Sequence, residues 1–319
     1  MNDATDDGSR YLSGLTPRDK EPASTRILSD WINQAAAKMG DPAERLAWLV
    51  ASTVVVAVLQ RTLDSTGHPR FLLKGGTLLQ HRLGLSSRAT KDVDGLVRGD
   101  IDEFIICLDD VLTEPWGPLT VRRTGVETID TPFKVIKPRR FNVIVELKGK
   151  TWRKVQVEIA PDEGHAGRES ELVTPPTLAP FGLDGPQTLA GLTMRYQVAQ
   201  KIHACTDPHN PPASKNDRAR DVVDLLLLRG LDGIGDDPAG VRKAVVDIFS
   251  ARAAEARELG NPERTWPCTA LAHEHWTIDY ARAARGTDVT PTLGEAVAEL
   301  NKWLAEIDAA AHTGGPPLG

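Results

Sequence analysis

Two aspartates separated by one valine, Asp92 and Asp94, follow a double glycine, Gly75-Gly76, in the stretch FLLKGGTLLQHRLGLSSRATKDVDGLV, residues 71–97. On a strand, that two-residue spacing sends both carboxylates to one face and turns Val93 into the core. Hard oxygen donors in such a pair suit Mg²⁺ (or Mn²⁺), which is held by one or two carboxylates together with substrate phosphates. Two such ions about 3.5–4 Å apart can activate an attacking oxygen and stabilise a leaving pyrophosphate. Upstream, Phe71, Leu72 and Leu73 read as a short buried strand ended by Lys74-Gly75-Gly76. Adjacent glycines let the backbone take positive φ and approach a ligand that a Cβ would exclude. Thr77 can cap a following helix, whose Leu78, Leu79 and Leu83 lie at helical spacing. Free N–H groups at that helix N-terminus would face a polyphosphate, with Lys74 or the Thr77 hydroxyl adding a contact. A double glycine alone is commonly a turn, and a lone D-x-D is commonly solvated surface. Their order, the apolar flanks and the Arg88-x-Thr90 that leads into the acids together predict an NTP site beside divalent metal.

The pattern K-G-G-T-x-L (74–79) followed by R-x-T-x-D-x-D (88–94) resembles the AbiEii/AbiGii (MenT-like) toxin family, a branch of the DNA-polymerase-β-like nucleotidyltransferases. The resemblance implies an α+β fold: a polymerase-β-like core of mixed sheet flanked by helices, plus a C-terminal helical domain. It implies transfer of NMP from an NTP to an acceptor hydroxyl, with the 3′ end of tRNA as acceptor. It further implies toxin activity in a type IV-like toxin–antitoxin or abortive-infection system, neutralised by a separately encoded antitoxin. Lys74, Gly75, Gly76, Thr77 and Arg88 would contact the nucleotide, and Asp92 and Asp94 the metal.

The family's third metal-binding carboxylate lies on a strand after a hairpin, and RFNVIVELKGKTWRKVQVEIA (140–160) reads as such a hairpin, with Lys148-Gly149-Lys150 at its turn. Glu158 is the lone acid on the polar face of a strand whose Val155, Val157 and Ile159 alternate inward. The family usually has Asp there, so Glu158 is one methylene longer; the competing reading makes it a cross-strand partner for a lysine. Lys201, in A-Q-K-I-H-A, resembles the family's E-K-L-x-A lysine with Gln200 in place of Glu, and Arg220-Asp221-Val-Val-Asp224-Leu225 resembles R-D-x-x-D-L. By resemblance, Lys201 neutralises triphosphate charge and Asp221 helps position the nucleotide or the acceptor hydroxyl. Otherwise Lys201 is a plain surface lysine, and Arg220, Asp221 and Asp224 are an i,i+3/i,i+4 network on a helix surface. The resemblance touches residues 70–230.

Composition bounds these expectations. A chain of 319 residues has ample core for one large or two modest domains. Three widely spaced cysteines, Cys107, Cys205 and Cys268, make a disulfide framework unsuited and fit a reducing cytoplasm. The polar, acidic start MNDATDDGSRYLSG is unlike a signal peptide. The apolar run Leu46 to Leu59 is too short for a bilayer and reads as a core helix, so no membrane partner is expected. A net charge of −6 argues against non-specific coating of nucleic acid, yet residues 120–154 hold ten bases and three acids. That window would favour a phosphate-rich acceptor such as RNA, unless it only solubilises an exposed sheet face. His203, Cys205 and His209 match no common zinc spacing, and His273-Glu274-His275 lacks the offset of a helical zinc site.

The elements that must carry these residues follow from periodicity. Residues 1–24 are expected to be mobile. Helices are predicted at 25–39, from Asp41-Pro42 to Leu63, at 101–112, 187–206, 217–229, 238–258 and 292–310. Strands are predicted near 119–128, 132–136, 140–148 and 152–160. The expected organisation is a nucleotidyltransferase domain at 25–165, a Pro/Gly-rich connection at 166–186, a helical domain at 187–310 and a tail at 311–319. A nucleotidyltransferase acting on a protein or small molecule, and a non-catalytic binding module on the same fold, are the alternative readings.

Overall fold

Alternating apolar residues in the middle of the chain need a surface to bury against, and the long apolar stretch at 46–59 supplies it. A computed structural model describes residue 12 and residues 14–310, apart from 84–86, 88, 89, 213 and 232. The strands are β1 (Phe71–Lys74), β2 (Asp92–Val97), β3 (Leu119–Arg123), β4 (Glu127–Thr128), β5 (Arg139–Leu147), β6 (Lys150–Pro161), β7 (Glu171–Val173) and β8 (Leu189–Gly191). They form one mixed sheet in the order β3-β5-β6-β2-β1-β8-β7, with β4 pairing to β5. β6 runs parallel to β2, β2 antiparallel to β1, and β1 parallel to β8.

One face of the sheet is apolar: Leu73, Val93, Phe141, Val143, Val155, Val157 and Ile159 are each at most 1% exposed. Helices α1 (Thr25–Met39), α2 (Ala43–Leu59) and α4 (Ile101–Val111) belong to this side, with α2 lying against β5 and β6. A helix apolar all round must be buried all round, and α2 is buried from Leu46 to Leu59 except at Trp48. Local signals set helix ends. The Ser24 hydroxyl accepts from the Ile27 N–H and Gly40 closes α1 at φ 74°, while the Asp100 carboxylate accepts from two N–H groups at the start of α4. At Gly95 the ring of Phe71 fills the space of a side chain, since a Cβ there would lie 2.0 Å from it.

The opposite face carries polar residues and looks toward α3 (Gly75–Leu83), α5 (Met194–Cys205), α6 (Ala219–Arg229) and α7 (Pro238–Glu258). Helices α8 (Thr277–Ala284) and α9 (Leu293–Ala309) pack around α6, α9 opening with a reciprocal Thr292/Glu295 cap. This is the expected mixed sheet flanked by helices with helices toward the C-terminus. No helix among the described residues is long and apolar enough to cross a membrane.

Several expectations need correction. The helix from Asp41-Pro42 ends at Leu59 rather than Leu63, and its N-cap position is Pro42, with no side-chain cap. Leu63 instead bridges to Pro69. Residues 132–136 form no strand: the Lys134 ammonium and the Val135 N–H are tied to Glu255 of α7, so the segment's backbone serves a helix and not a ladder. The helix expected from 187 begins at Met194, because Leu189–Gly191 pair with β1 and β7 instead. The span 166–186 contributes β7 to the same sheet. Helix α8 was not expected at all.

Candidate active site

Strand register places four charged side chains in one row across the polar face. Lys74 of β1 pairs with Asp94 of β2, Asp94 with Glu158 of β6, and Glu158 with Arg140 of β5. At about 4.8 Å per strand the row spans about 14 Å. Its two acids are bracketed by a base at each end. A second row beside it runs Asp92, Gln156, Asn142. The D-x-D spacing thus does what strand geometry requires, with Val93 fully buried on the other side.

Among the described residues no donor hydrogen-bonds the Asp94 carboxylate, whereas the Thr90 hydroxyl donates to Asp92 Oδ1 at 3.2 Å. Burial and the charge of Asp92 push Asp94 up to about 6, Glu158 adding to the effect and Lys74 and Lys201 opposing it. Burial likewise pushes the Lys74 ammonium below its ordinary range, against the pull of Glu163 and Asp94.

Glu158 is occupied. Its Oε1 accepts from Arg140 Nε at 2.8 Å and from Gln156 Nε2 at 3.1 Å, and lies 2.7 Å from a terminal nitrogen of Arg140. Glu158 thus has a cross-strand partner, an arginine where the competing reading had a lysine. Among the described residues no group of three or more His, Cys, Asp or Glu side chains is arranged to hold a metal ion. The Asp92/Asp94 pair does fit a hard divalent cation, because Asp94 is a partly buried carboxylate that no donor among the described residues satisfies.

The glycines serve this arrangement directly. Gly75 has φ 69°, and a Cβ on it would lie 2.3 Å from Asp94 Oδ2. The first helical turn of α3 includes Gly75 and Gly76, so Thr77 is no N-cap; its hydroxyl donates to the Asp92 carbonyl at 2.7 Å and fixes the start of β2. Gln197 of α5 accepts from the Gly75 N–H and donates to the Gly75 carbonyl, both at 3.2 Å. That amide occupies one N–H of the expected phosphate cradle.

Lys201 is not a surface lysine. Its ammonium lies 2.8 Å from Asp221 and 2.6 Å from Asp224, and Asp224 is 0% exposed. In place of the alternative reading, a surface network of Arg220, Asp221 and Asp224, the two aspartates pair with buried Lys201 and Arg220 is exposed. Asp221 reaches the site through Lys201, whose charge is felt at Asp94. A second hub missed from sequence is Glu163, which pairs with Lys134 and with Arg252 at 2.9 Å and accepts from Gln200 at 3.1 Å. Burial works against its charge, but Arg252 and Lys134 hold its carboxyl well below the usual range.

Arg88 lies outside the described residues. The basic stretch 120–154 is dispersed over both faces of the sheet. Arg123, Arg139 and Arg153 pair with Asp109, Asp102 and Glu44 on the helix-covered side. Arg122, Lys134, Lys137 and Arg140 pair with other acids, leaving Lys148, Lys150 and Lys154 exposed along the hairpin. The histidines regroup: His209 leaves His203 and Cys205 and stacks on His275 at 4.2 Å between ring centroids, with His273 at 4.9 Å.

A family model described as nucleotidyl transferase AbiEii toxin, type IV TA system, matches residues 57–308, from the end of α2 into α9. No curated protein matches the chain. Among solved structures, the chain is similar to MenT4, a nucleotidyltransferase toxin from Mycobacterium tuberculosis H37Rv, at 19% identity and TM-score 0.47, covering 91% of this chain and 98% of that one. It is also similar to an H. pylori protein assigned to the nucleotidyltransferases, at 14% identity and TM-score 0.42, covering 83% and 99%.

Proposed function

Because the chain belongs to the AbiEii family of nucleotidyltransferase toxins of type IV toxin–antitoxin systems, we propose that it transfers NMP from an NTP to the 3′-terminal hydroxyl of an RNA, with tRNA as the acceptor. The family implies an NTP substrate and an antitoxin partner. The observation that carries the reading is Asp94: a partly buried carboxylate with no protein donor among the described residues, beside a second aspartate and a glycine that leaves it room.

Asp92 and Asp94 would hold Mg²⁺ or Mn²⁺, which when bound supplies Lewis-acid charge neutralisation at phosphoryl oxygens. Lys74 lies next to Asp94 in the row, and Lys201 acts on Asp94 from α5. Both cations suit the growing charge of a departing pyrophosphate. Gly75 keeps the floor clear beside Asp94, and Gln197 holds that glycine in place. Asp221 and Asp224 act as positioning residues, since they touch Lys201. In the transfer, the acceptor oxygen bonds to the α-phosphorus as the bond to the β-phosphate oxygen breaks. Pyrophosphate leaves with that electron pair, and the hydroxyl proton passes to a neighbouring carboxylate.

The test is incubation with α-phosphate-labelled NTPs, Mg²⁺ and total RNA, protein or small-molecule acceptors. Label is expected in RNA, and a soluble Asp94→Ala protein should transfer none. Label confined to protein or small molecules would overturn the RNA acceptor. Undiminished transfer by Asp94→Ala would overturn the site.

A further inference from the structure

We infer that Glu158 is not a third metal ligand but the anchor of Arg140, and that Arg140 takes a phosphate of the acceptor strand next to the attacking hydroxyl. The inference rests on the nucleotidyltransfer reading and names the acceptor side of the same site.

Three observations carry it. First, the carboxylates divide their work. Asp94 has no donor among the described residues, whereas one oxygen of Glu158 receives Arg140 and Gln156 together. A carboxylate gripped by a guanidinium and an amide is poorly placed to give that oxygen to a cation. Second, the fork leaves donors over. Arginine has five N–H groups in a rigid plane; Nε and one terminal nitrogen face Glu158, and the side chain is 41% exposed. The remaining N–H groups can form the two-pronged contact that phosphate oxygens favour. Third, the row has direction. Phosphoryl transfer places the attacking and leaving oxygens roughly in line. Lys74 and Gly75 mark one end of the row, beside β1, and Arg140 marks the other, on β5. With the leaving group at the Lys74 end, the acceptor enters at the Arg140 end. A polynucleotide 3′ terminus carries a phosphodiester one nucleotide back from its hydroxyl; a free nucleoside or a protein hydroxyl carries none.

The test uses the full chain with Mn²⁺ and two oligoribonucleotide acceptors that end in a free 3′ hydroxyl. One has natural linkages and the other neutral methylphosphonates at its terminal linkages. Wild type should show a KM about tenfold lower for the natural acceptor, the scale of one charge-assisted contact. Arg140→Gln should remove most of that difference without changing KM for the NTP, and Arg140→Lys should retain part of it. Glu158→Gln should also weaken the discrimination while binding Mn²⁺, measured by electron paramagnetic resonance, within about twofold of wild type. A tenfold or larger loss of Mn²⁺ affinity in Glu158→Gln makes it a ligand and overturns the inference. So does full discrimination in Arg140→Gln, or a rise confined to KM for the NTP. A wild-type protein that takes up no Mn²⁺ and transfers nothing overturns the nucleotidyltransfer reading, and this inference with it.

Discussion

Asp94→Asn should stabilise the metal-free protein at neutral pH. The Asp94 carboxyl is raised from 3.8 to about 6 in the folded protein, first by burial and then by Asp92. The folded state therefore binds the Asp94 proton more tightly than the unfolded chain does. Below about pH 4 both states hold the proton and the site costs nothing; above about pH 6 the folded state must carry an ionised group that it disfavours. A difference of about two pH units at 1.36 kcal/mol each sets an upper limit of about 3 kcal/mol, and about half that once solvent reaching the partly buried carboxylate is allowed for. Asn has nearly the same shape, and no donor among the described residues is lost with the second oxygen. Urea unfolding in EDTA should therefore show Asp94→Asn more stable than wild type by about 1.5–3 kcal/mol at pH 7.5. The gap should shrink toward zero by pH 4. Added Mg²⁺ should stabilise wild type by mass action and leave the variant unchanged. A variant equally or less stable than wild type at pH 7.5 would refute the claim that Asp94 is electrostatically strained.

Gly75→Ala combines a positive φ with a contact 2.3 Å from Asp94 Oδ2; thermal unfolding should show a loss of about 1–3 kcal/mol, accompanied by loss of labelled-NMP transfer. Lys201→Met leaves Asp221 and Asp224 buried without their shared cation, so denaturant unfolding at pH 7.5 should show about 3–5 kcal/mol lost. Adding Asp224→Asn to Lys201→Met should recover part of that loss. Gly95→Ala drives a methyl into the Phe71 ring and should cost about 1–3 kcal/mol by overpacking, read as a lower melting temperature.

Much of the site was legible because strand geometry is local. Asp92 and Asp94 had to share a face, and Val93 had to leave it. Glu158 was found from alternation in β6, but a lysine was expected opposite it where the register places Arg140, and a β-bulge lies in that hairpin. The Lys148-Gly149 turn pairs Leu147 with Lys150, and regular counting from there would set Glu158 opposite Arg139. The register shifts between Val145 and Glu146, so Glu158 meets Arg140 instead. The shift could have been read: odd-numbered residues are apolar on both arms, and that turn without a bulge would set apolar against polar. Other features depend on contacts remote in sequence. Nothing near Lys134 announces Glu255, which lies far along the chain, and a short run such as Leu189–Gly191 becomes a strand only because β1 offers an edge. The burial of Lys201 against Asp224 was not legible, since their pairing arises from α5 lying on α6.

Gln197 grips both backbone groups of Gly75, and Lys201 one turn further along the same helix is locked into α6. Sheet floor and helical roof are thus stitched together at the glycine end. Hinging the two apart there to admit or release a molecule would break two backbone-directed bonds. The segment running into β5 is fastened too, Lys134 and the Val135 N–H to Glu255 of α7 and Asn261 to the Pro132 carbonyl, so parting roof from floor is costly on either side.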